Sequence, residues 1–149
     1  WNFFEMPDSV ISASNVGGFG IDGCVSSLFG ASLVNKKKLY YGVFGDLSFF
    51  YDMNVIGNRS IGSNLRILLI NNGEGLEFRL AGSPAYQFGE DTSKFISAGR
   101  HFGNKSRSLV KNYVEDLGFE YLCATDKTGF QNVLYTPATL DWWLGSSRI

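Results

Sequence analysis

The chain has 149 residues, of which 44% are hydrophobic and 18% charged, with a formal net charge of −1. That is one domain's worth of chain with material for a real core, and the charge balance gives no ground for a nucleic-acid or anionic-membrane partner. No apolar run approaches the roughly 20 residues of a membrane span, and Trp1-Asn2-Phe3-Phe4-Glu5 has neither the basic start nor the cleavage pattern of a signal peptide.

Cys24 and Cys123 fit neither a disulfide framework nor a zinc site. Each reads as a small buried apolar residue of a reducing compartment, so a cytoplasmic location is expected. The chain starts without methionine and is expected to be part of something longer.

In chain order, residues 9–13 read as a first strand. Residues 22–34 read as a helix, because Cys24, Val25, Leu28 and Ala31 recur at helical spacing. Lys36-Lys37-Lys38 is a solvated turn. Residues 39–44 are apolar without polar alternation, which suits a strand buried on both faces. Residues 48–56 read as a second helix and residues 65–70 as another buried strand. Residues 71–106, rich in Gly, Ser and aromatics, read as one long irregular segment. Such segments in compact domains are usually functional or mobile, and residues 76–104 are expected to be poorly ordered without a ligand and a partner. A helix is predicted over 108–117, with Leu109, Val110, Tyr113, Val114 and Leu117 on one face. A strand follows at 119–124 and a last helix at 127–134. Strands alternating with helices predict an α/β domain over 1–149: three layers, a mostly parallel sheet with helices on both faces.

Ligands of such sheets sit beyond the carboxyl ends of the strands, which points to residues 15–23, 45–48 and 71–75. Gly45-Asp46-Leu47-Ser48 follows one predicted strand, and Asn71-Asn72-Gly73 follows the next, with Asn72 placed 26 residues after Asp46. A strand-helix-strand unit brings those two ends together, so a carboxylate and an amide oxygen converge. Hard oxygen donors completed by water and phosphate suit magnesium, which rarely takes an all-protein cage. Gly45 lets the backbone approach a ligand, and Ser48 lies near a helix start, where free N–H groups favour phosphate.

Gly45-Asp46 and Asn71-Asn72 at this interval resemble the glycine-aspartate and asparagine-asparagine signature of thiamine-diphosphate enzymes. The resemblance implies the thiamine-diphosphate-binding fold and thiamine diphosphate with Mg2+ as cofactors. It also implies Asp46, Asn72 and the backbone of Glu74 as metal ligands; because Gly73 and Gly75 flank Glu74, the last register is open by one residue. Gly18-Phe19-Gly20-Ile21-Asp22-Gly23, taken with Gly45-Asp46-Leu47-Ser48 and Tyr51-Asp52-Met53-Asn54, narrows the resemblance. These strings are similar to the menaquinone-pathway synthases that make 2-succinyl-5-enolpyruvyl-6-hydroxy-3-cyclohexene-1-carboxylate. The similarity runs over about residues 12–78 and more loosely beyond. It implies that Gly20, Ile21 and Asp22 meet the cofactor's heterocycles, that Ile21 is an apolar wedge, that Gly45, Leu47 and Ser48 lie along the diphosphate, and that Phe78 lines the thiazolium. Plainer readings stand beside these: Asp22 as a helix N-cap, Ile21 and Phe78 as core or loop residues.

One departure is visible. The synthases usually carry an arginine for substrate carboxylate where Val16 follows Asn15 here, and valine makes no bidentate contact. The synthase's own substrates are therefore left open. His101 is the weak candidate for acid–base work. Arg66, Arg79, Arg100 and Arg107 are candidates for a substrate carboxylate, with Arg100 favoured beside His101. Asp52 reads as a solvated or helix-pairing residue, and Trp142 and Trp143 as packing on a missing part or partner.

The implied function is 2-oxo acid decarboxylation or carboligation. The activating glutamate is expected from a pyrimidine-binding domain of the same or another subunit, in a homo-oligomer, most simply a dimer, so this chain alone is expected to be inactive. The alternatives are a subunit of a sulfopyruvate- or phosphonopyruvate-type decarboxylase and a non-catalytic assembly module.

Overall fold

The computed structural model describes residues 5–15, 20–95 and 105–135. The chain divides into two compact units, Trp1–Arg107 and Ser108–Ile149.

In the first unit, helix α1 (Cys24–Val34) leads to strand β1 (Tyr40–Gly45), helix α2 (Asp46–Asp52), a 3-10 turn (Met53–Gly57) and strand β2 (Leu65–Ile70). β1 and β2 pair in parallel, from Tyr40 opposite Leu65 to Gly45 opposite Ile70. Parallel neighbours need a crossover, and α2 with its 3-10 turn supplies it. Val25 and Phe29 of α1, Phe49 of α2, Ile56 and Leu65 are the buried apolar residues of these mutually packed elements. Phe49 meets Phe50 edge to face, ring centres 5.5 Å apart.

Two features fix α1 against the sheet. A Cβ on Gly42 would lie 2.6 Å from Leu28 Cδ2 and 2.4 Å from a Phe44 ring carbon, so the close approach of α1 to β1 depends on that glycine. At the other end, buried Asn64 donates to the Ser32 carbonyl at 3.0 Å and the Lys38 carbonyl at 3.3 Å. Its own carbonyl accepts from the Tyr40 N–H. One side chain thus satisfies acceptors in the last turn of α1 and the approach to β1, at the point where β2 begins.

The described architecture is α/β with a two-stranded parallel sheet. The expected burial of both strands on both faces is not observed. The Gly42 face lies under α1, whereas Tyr41, Val43, Leu68 and Ile70 on the other face are exposed. The apolar runs carry no alternation because both faces are apolar, yet only one is covered.

Two expected strands do not form. At 9–13 the Val10 N–H turns back to the Pro7 carbonyl at 2.8 Å, and Ile11 is 90% exposed. At 119–124 the chain leaves helix α4 (Leu109–Asp116) through a helix cap. Gly118 N–H returns to Glu115 and Phe119 N–H to the Val114 carbonyl, the two bonds of a Schellman ending. Strand character needs a ladder partner, and these local bonds take the donors first.

The segment expected to be irregular holds short helical turns: 3-10 at Leu76–Arg79 and Pro84–Phe88, and helix α3 (Glu90–Phe95). Ser83 caps the second turn, and Thr92 donates to the Ala85 carbonyl at 2.8 Å. The remainder of the expected mobile stretch, 96–104, lies outside the described residues. In the second unit α4 buries Val114, half-buries Val110 and Tyr113, and leaves Leu109 and Leu117 exposed. Helix α5 (Lys127–Leu134) starts where Asp126 accepts the Gly129 N–H at 2.8 Å. Trp142 and Trp143 lie outside the described residues.

Both cysteines are free, but neither is buried: Cys24 is half-buried and Cys123 exposed. Among the described residues no helix is long and apolar enough to cross a membrane.

Candidate functional site

The parallel register ends both strands at one level, Gly45 opposite Ile70. Beyond that edge stand Asp46, the first residue of α2, and the turn from Asn71 to Gly75. Asp46 is 1% exposed. Its Oδ2 accepts the Gly73 N–H at 2.5 Å and its Oδ1 the Leu47 N–H at 3.0 Å. Gly73 has φ +84°. That left-handed backbone costs other residues about 1–2 kcal/mol, and here it belongs to the turn that aims the N–H at the carboxylate.

Asn72 is exposed, and its Oδ1 accepts the Glu74 N–H at 3.2 Å. The Glu74 carboxylate pairs with Arg79 Nη2 at 2.9 Å and accepts from Ser93 Oγ at 3.4 Å. The Glu74 side chain is therefore engaged beside the turn. Arg79 is the cation of that pair, not an unpaired arginine. Arg66 donates to the carbonyls of Ser63 and Leu65 at its own strand start, and Arg107 is exposed.

These donors fit a small hard cation. Each Asp46 oxygen accepts one N–H and keeps further acceptor capacity, and Asn72 presents a neutral amide oxygen. Among the described residues no three His, Cys, Asp or Glu side chains gather to hold a metal. A magnesium ion here would therefore draw most of its shell from phosphate and water.

The second cluster is the loop before α1. Gly20's carbonyl accepts from Asn15 Nδ2 at 3.2 Å, and Asn15 Nδ2 also reaches Cys24 Sγ at 2.9 Å. Ile21 is exposed, and its carbonyl accepts from Ser48 Oγ at 3.1 Å. Asp22 is exposed and does not cap the helix; Gly23 stands at the cap, with no side-chain bond. The missing cap comes from Asp52. Its Oδ2 accepts the Ser26 N–H at 2.6 Å and its Oδ1 the Ser26 hydroxyl at 2.7 Å.

The structure thus joins Asp46 to the Asn72 turn and Ser48 to the Ile21 loop. Leu47 is half-buried beside Asp46, and Phe78 is half-buried in the 3-10 turn after Gly75. Val16, Gly18, Phe19, Arg100 and His101 lie outside the described residues. Of the two readings of Asp52, solvated or helix-pairing, the structure shows the second, through a partner, Ser26, that the sequence reading does not name. The signal was available: α1 has a glycine at its cap and no acid in its first turn, so its donors had to be met from elsewhere.

Comparison with other proteins shows what the chain is similar to. The 2-succinyl-5-enolpyruvyl-6-hydroxy-3-cyclohexene-1-carboxylate synthase of Bacteroides fragilis is 36% identical over 133 residues, covering 89% of this chain and 22% of the relative. The chain is a homologue of these synthases over the segment they share. The synthase of Phocaeicola vulgatus is 34% identical over 131 residues, 88% of this chain and 22% of the relative. That of Desulfotalea psychrophila is 49% identical over 78 residues, 50% of this chain and 14% of the relative. The chain thus spans about a fifth of the length of the first two synthases (22%), and the resemblance to this thiamine-diphosphate family read from the Gly45-Asp46 and Asn71-Asn72 motifs is borne out. No family profile matches the chain, and no solved structure matches it.

Proposed function

We propose that this chain is the diphosphate- and metal-binding part of a thiamine-diphosphate-dependent 2-oxo acid decarboxylase or carboligase of the menaquinone-pathway kind. The observation that carries the reading is the bond from Gly73 N–H to the buried Asp46 carboxylate. It brings both halves of the motif to one point at the strand ends, where ligands of parallel sheets sit.

In this reading Asp46, Asn72 and the backbone of Glu74 hold Mg2+. Gly45, Leu47 and Ser48 follow the diphosphate, and Gly20, Ile21 and Asp22 approach the heterocycles, with Phe78 on the thiazolium side. When bound, thiamine diphosphate supplies the nucleophilic carbon and the electron sink for decarboxylation. The chain's residues bind and orient it. The proton-handling glutamate belongs to a pyrimidine-binding domain of the same or another subunit, so the chain alone is inactive towards 2-oxo acids, and the working protein is read as a homo-oligomer, most simply a dimer. The complete fold is read as three-layered, which calls for a cover over Tyr41, Val43, Leu68 and Ile70. Two free cysteines fit a cytoplasmic enzyme.

A second reading rests on Val16. Without an arginine there, a simpler decarboxylase of the sulfopyruvate or phosphonopyruvate kind fits the same cofactor site. A non-catalytic module is disfavoured, since nothing in assembly requires both Asp46 and Asn72.

The test is calorimetric titration of the full-length protein with thiamine diphosphate, with and without magnesium. Saturable binding that requires the metal is expected; no binding in either case sinks the proposal. A carbon dioxide release assay over a panel of 2-oxo acids then separates the two readings.

A further inference from the structure

Helix α2 touches the Gly20–Asp22 loop once and the first turn of α1, just beyond it, once. Ser48 donates to the Ile21 carbonyl at 3.1 Å. Asp52, four residues on and so on the same helix face, takes both the N–H and the hydroxyl of Ser26 at 2.6 and 2.7 Å. Asp46 is the first residue of the same helix. From Asp46 to Asp52 a helix advances about 9 Å along its axis. One short rigid rod therefore carries Asp46 at its start and, further along, one grip on the loop and one on the first turn of α1 that the loop leads into.

The grip at Asp52 is needed because α1 has no N-terminal support of its own. Its cap is Gly23, with no side-chain bond, and its first turn has no acid. Helix starts leave orphan N–H groups, and a carboxylate near them is stabilising. Asp52 supplies that carboxylate from the neighbouring helix, with each oxygen committed to one donor of Ser26.

We propose that Asp52 is a positioning residue, which clamps α1 to α2 and so fixes where the Gly20–Asp22 loop stands relative to Asp46. The proposal rests on the thiamine-diphosphate reading for its ligand. In that reading Asp46 serves the diphosphate end and the loop serves the heterocycle end. Loosening the clamp then weakens the contacts to the heterocycles and spares those to the diphosphate.

The experiment compares two ligands on the full-length protein: magnesium with thiamine diphosphate, and magnesium with inorganic pyrophosphate. Asp52→Asn keeps one acceptor but turns an NH2 towards a donor. It is expected to weaken thiamine diphosphate about tenfold, the scale of one charge-assisted hydrogen bond, and pyrophosphate by less than about twofold. Ser26→Ala removes only the hydroxyl bond and should give a loss of about threefold with the same selectivity. It stands in if Asp52→Asn does not fold. Amide exchange over residues 21–27, measured without ligand, should quicken in both variants.

Equal losses for both ligands would make Asp52 a general stabiliser and overturn the proposal. So would unchanged thiamine-diphosphate affinity, with or without faster exchange. Wild-type protein that binds neither ligand defeats the cofactor reading and with it the positioning role. Unchanged exchange in the variants defeats the clamp itself, whatever binds.

Discussion

The two sides of the strand-end turn are built on different terms. On the β1 side, Asp46 is buried and both its oxygens accept backbone N–H groups. On the β2 side, Asn72 is exposed and only closes a tight turn onto the Glu74 N–H. Asp46 therefore belongs to the fold as well as to the proposed site, because burying a carboxylate is tolerated only when its lone pairs are met. Asn72 has little structural employment, and an exposed polar residue in a turn is a plainer candidate for ligand work. Changes on the first side should cost both stability and binding, and changes on the second should cost binding alone.

The largest effect is expected from Asp46→Ala. It strands a buried N–H donor at Gly73, at about 1–3 kcal/mol for an unsatisfied group, and a part-buried one at Leu47, and removes the only carboxylate proposed for the metal. Outer-shell changes at metal sites already cost about 10–100-fold, so loss of the ligand itself should weaken magnesium-dependent binding of thiamine diphosphate by more than about 100-fold. Calorimetry on the full-length variant reads the binding, and urea unfolding the stability. Unchanged affinity would remove Asp46 from the site.

Gly73→Ala attacks the link between the two sides. With φ at +84°, an alanine there carries strain of about 1–2 kcal/mol, and relief of that strain swings the N–H away from Asp46. Stability should fall by that amount, and cofactor affinity by about tenfold. A variant as stable as the wild type would mean the turn relaxes without strain. Asn72→Ala sharpens the comparison from the other side. Surface changes of this kind usually move stability by less than about 0.5 kcal/mol, while loss of the amide oxygen should weaken the metal complex by about tenfold or more. A clear fall in unfolding midpoint with intact binding would reverse the roles assigned to the two sides.

Much of the chain's secondary structure was legible in the sequence. α1, β1, β2 and α5 come within two residues of their predicted spans, because each carries a sustained apolar pattern and a marked end. The meeting of Asp46 with the Asn72 turn follows from a strand-helix-strand crossover and a shared sheet edge. Residues 9–13 and 119–124 misled because an apolar run says nothing of a partner: Val10 and Phe119 spend their N–H groups on Pro7 and Val114. Residues 76–95 misled in the opposite way. Their helical turns are too short for periodicity and rest on single polar contacts, such as Thr92 to the Ala85 carbonyl. The Asp52 clamp was hidden because a cap supplied from another helix leaves no local motif, only the lack of one at Gly23.

The smallest effect concerns Glu74, whose backbone the family resemblance implies as a metal ligand, with the register open by one residue, and whose side chain the structure engages with Arg79 and Ser93. The Arg79–Glu74 pair is 2.9 Å long, with side chains 39% and 21% exposed. Partly exposed ion pairs of this kind are worth about 0–1 kcal/mol once screening is allowed for. Glu74→Gln keeps the backbone carbonyl, keeps the length of the side chain and still offers an amide oxygen to Ser93 and Arg79. If the backbone is the ligand, magnesium affinity in the presence of thiamine diphosphate should change by less than about threefold, within the spread of such surface effects. If the carboxylate leaves Arg79 to bind the metal, the neutral amide is a much poorer donor, and affinity should fall by about tenfold or more. Raising the salt separates the cases further. The ion pair is screened at high ionic strength, so a carboxylate that competes between Arg79 and the metal would be freed, and wild-type affinity would drop less steeply with salt than that of Glu74→Gln. Parallel salt curves for the two proteins would instead keep Glu74's side chain out of the metal shell and leave its contribution to the backbone of the turn.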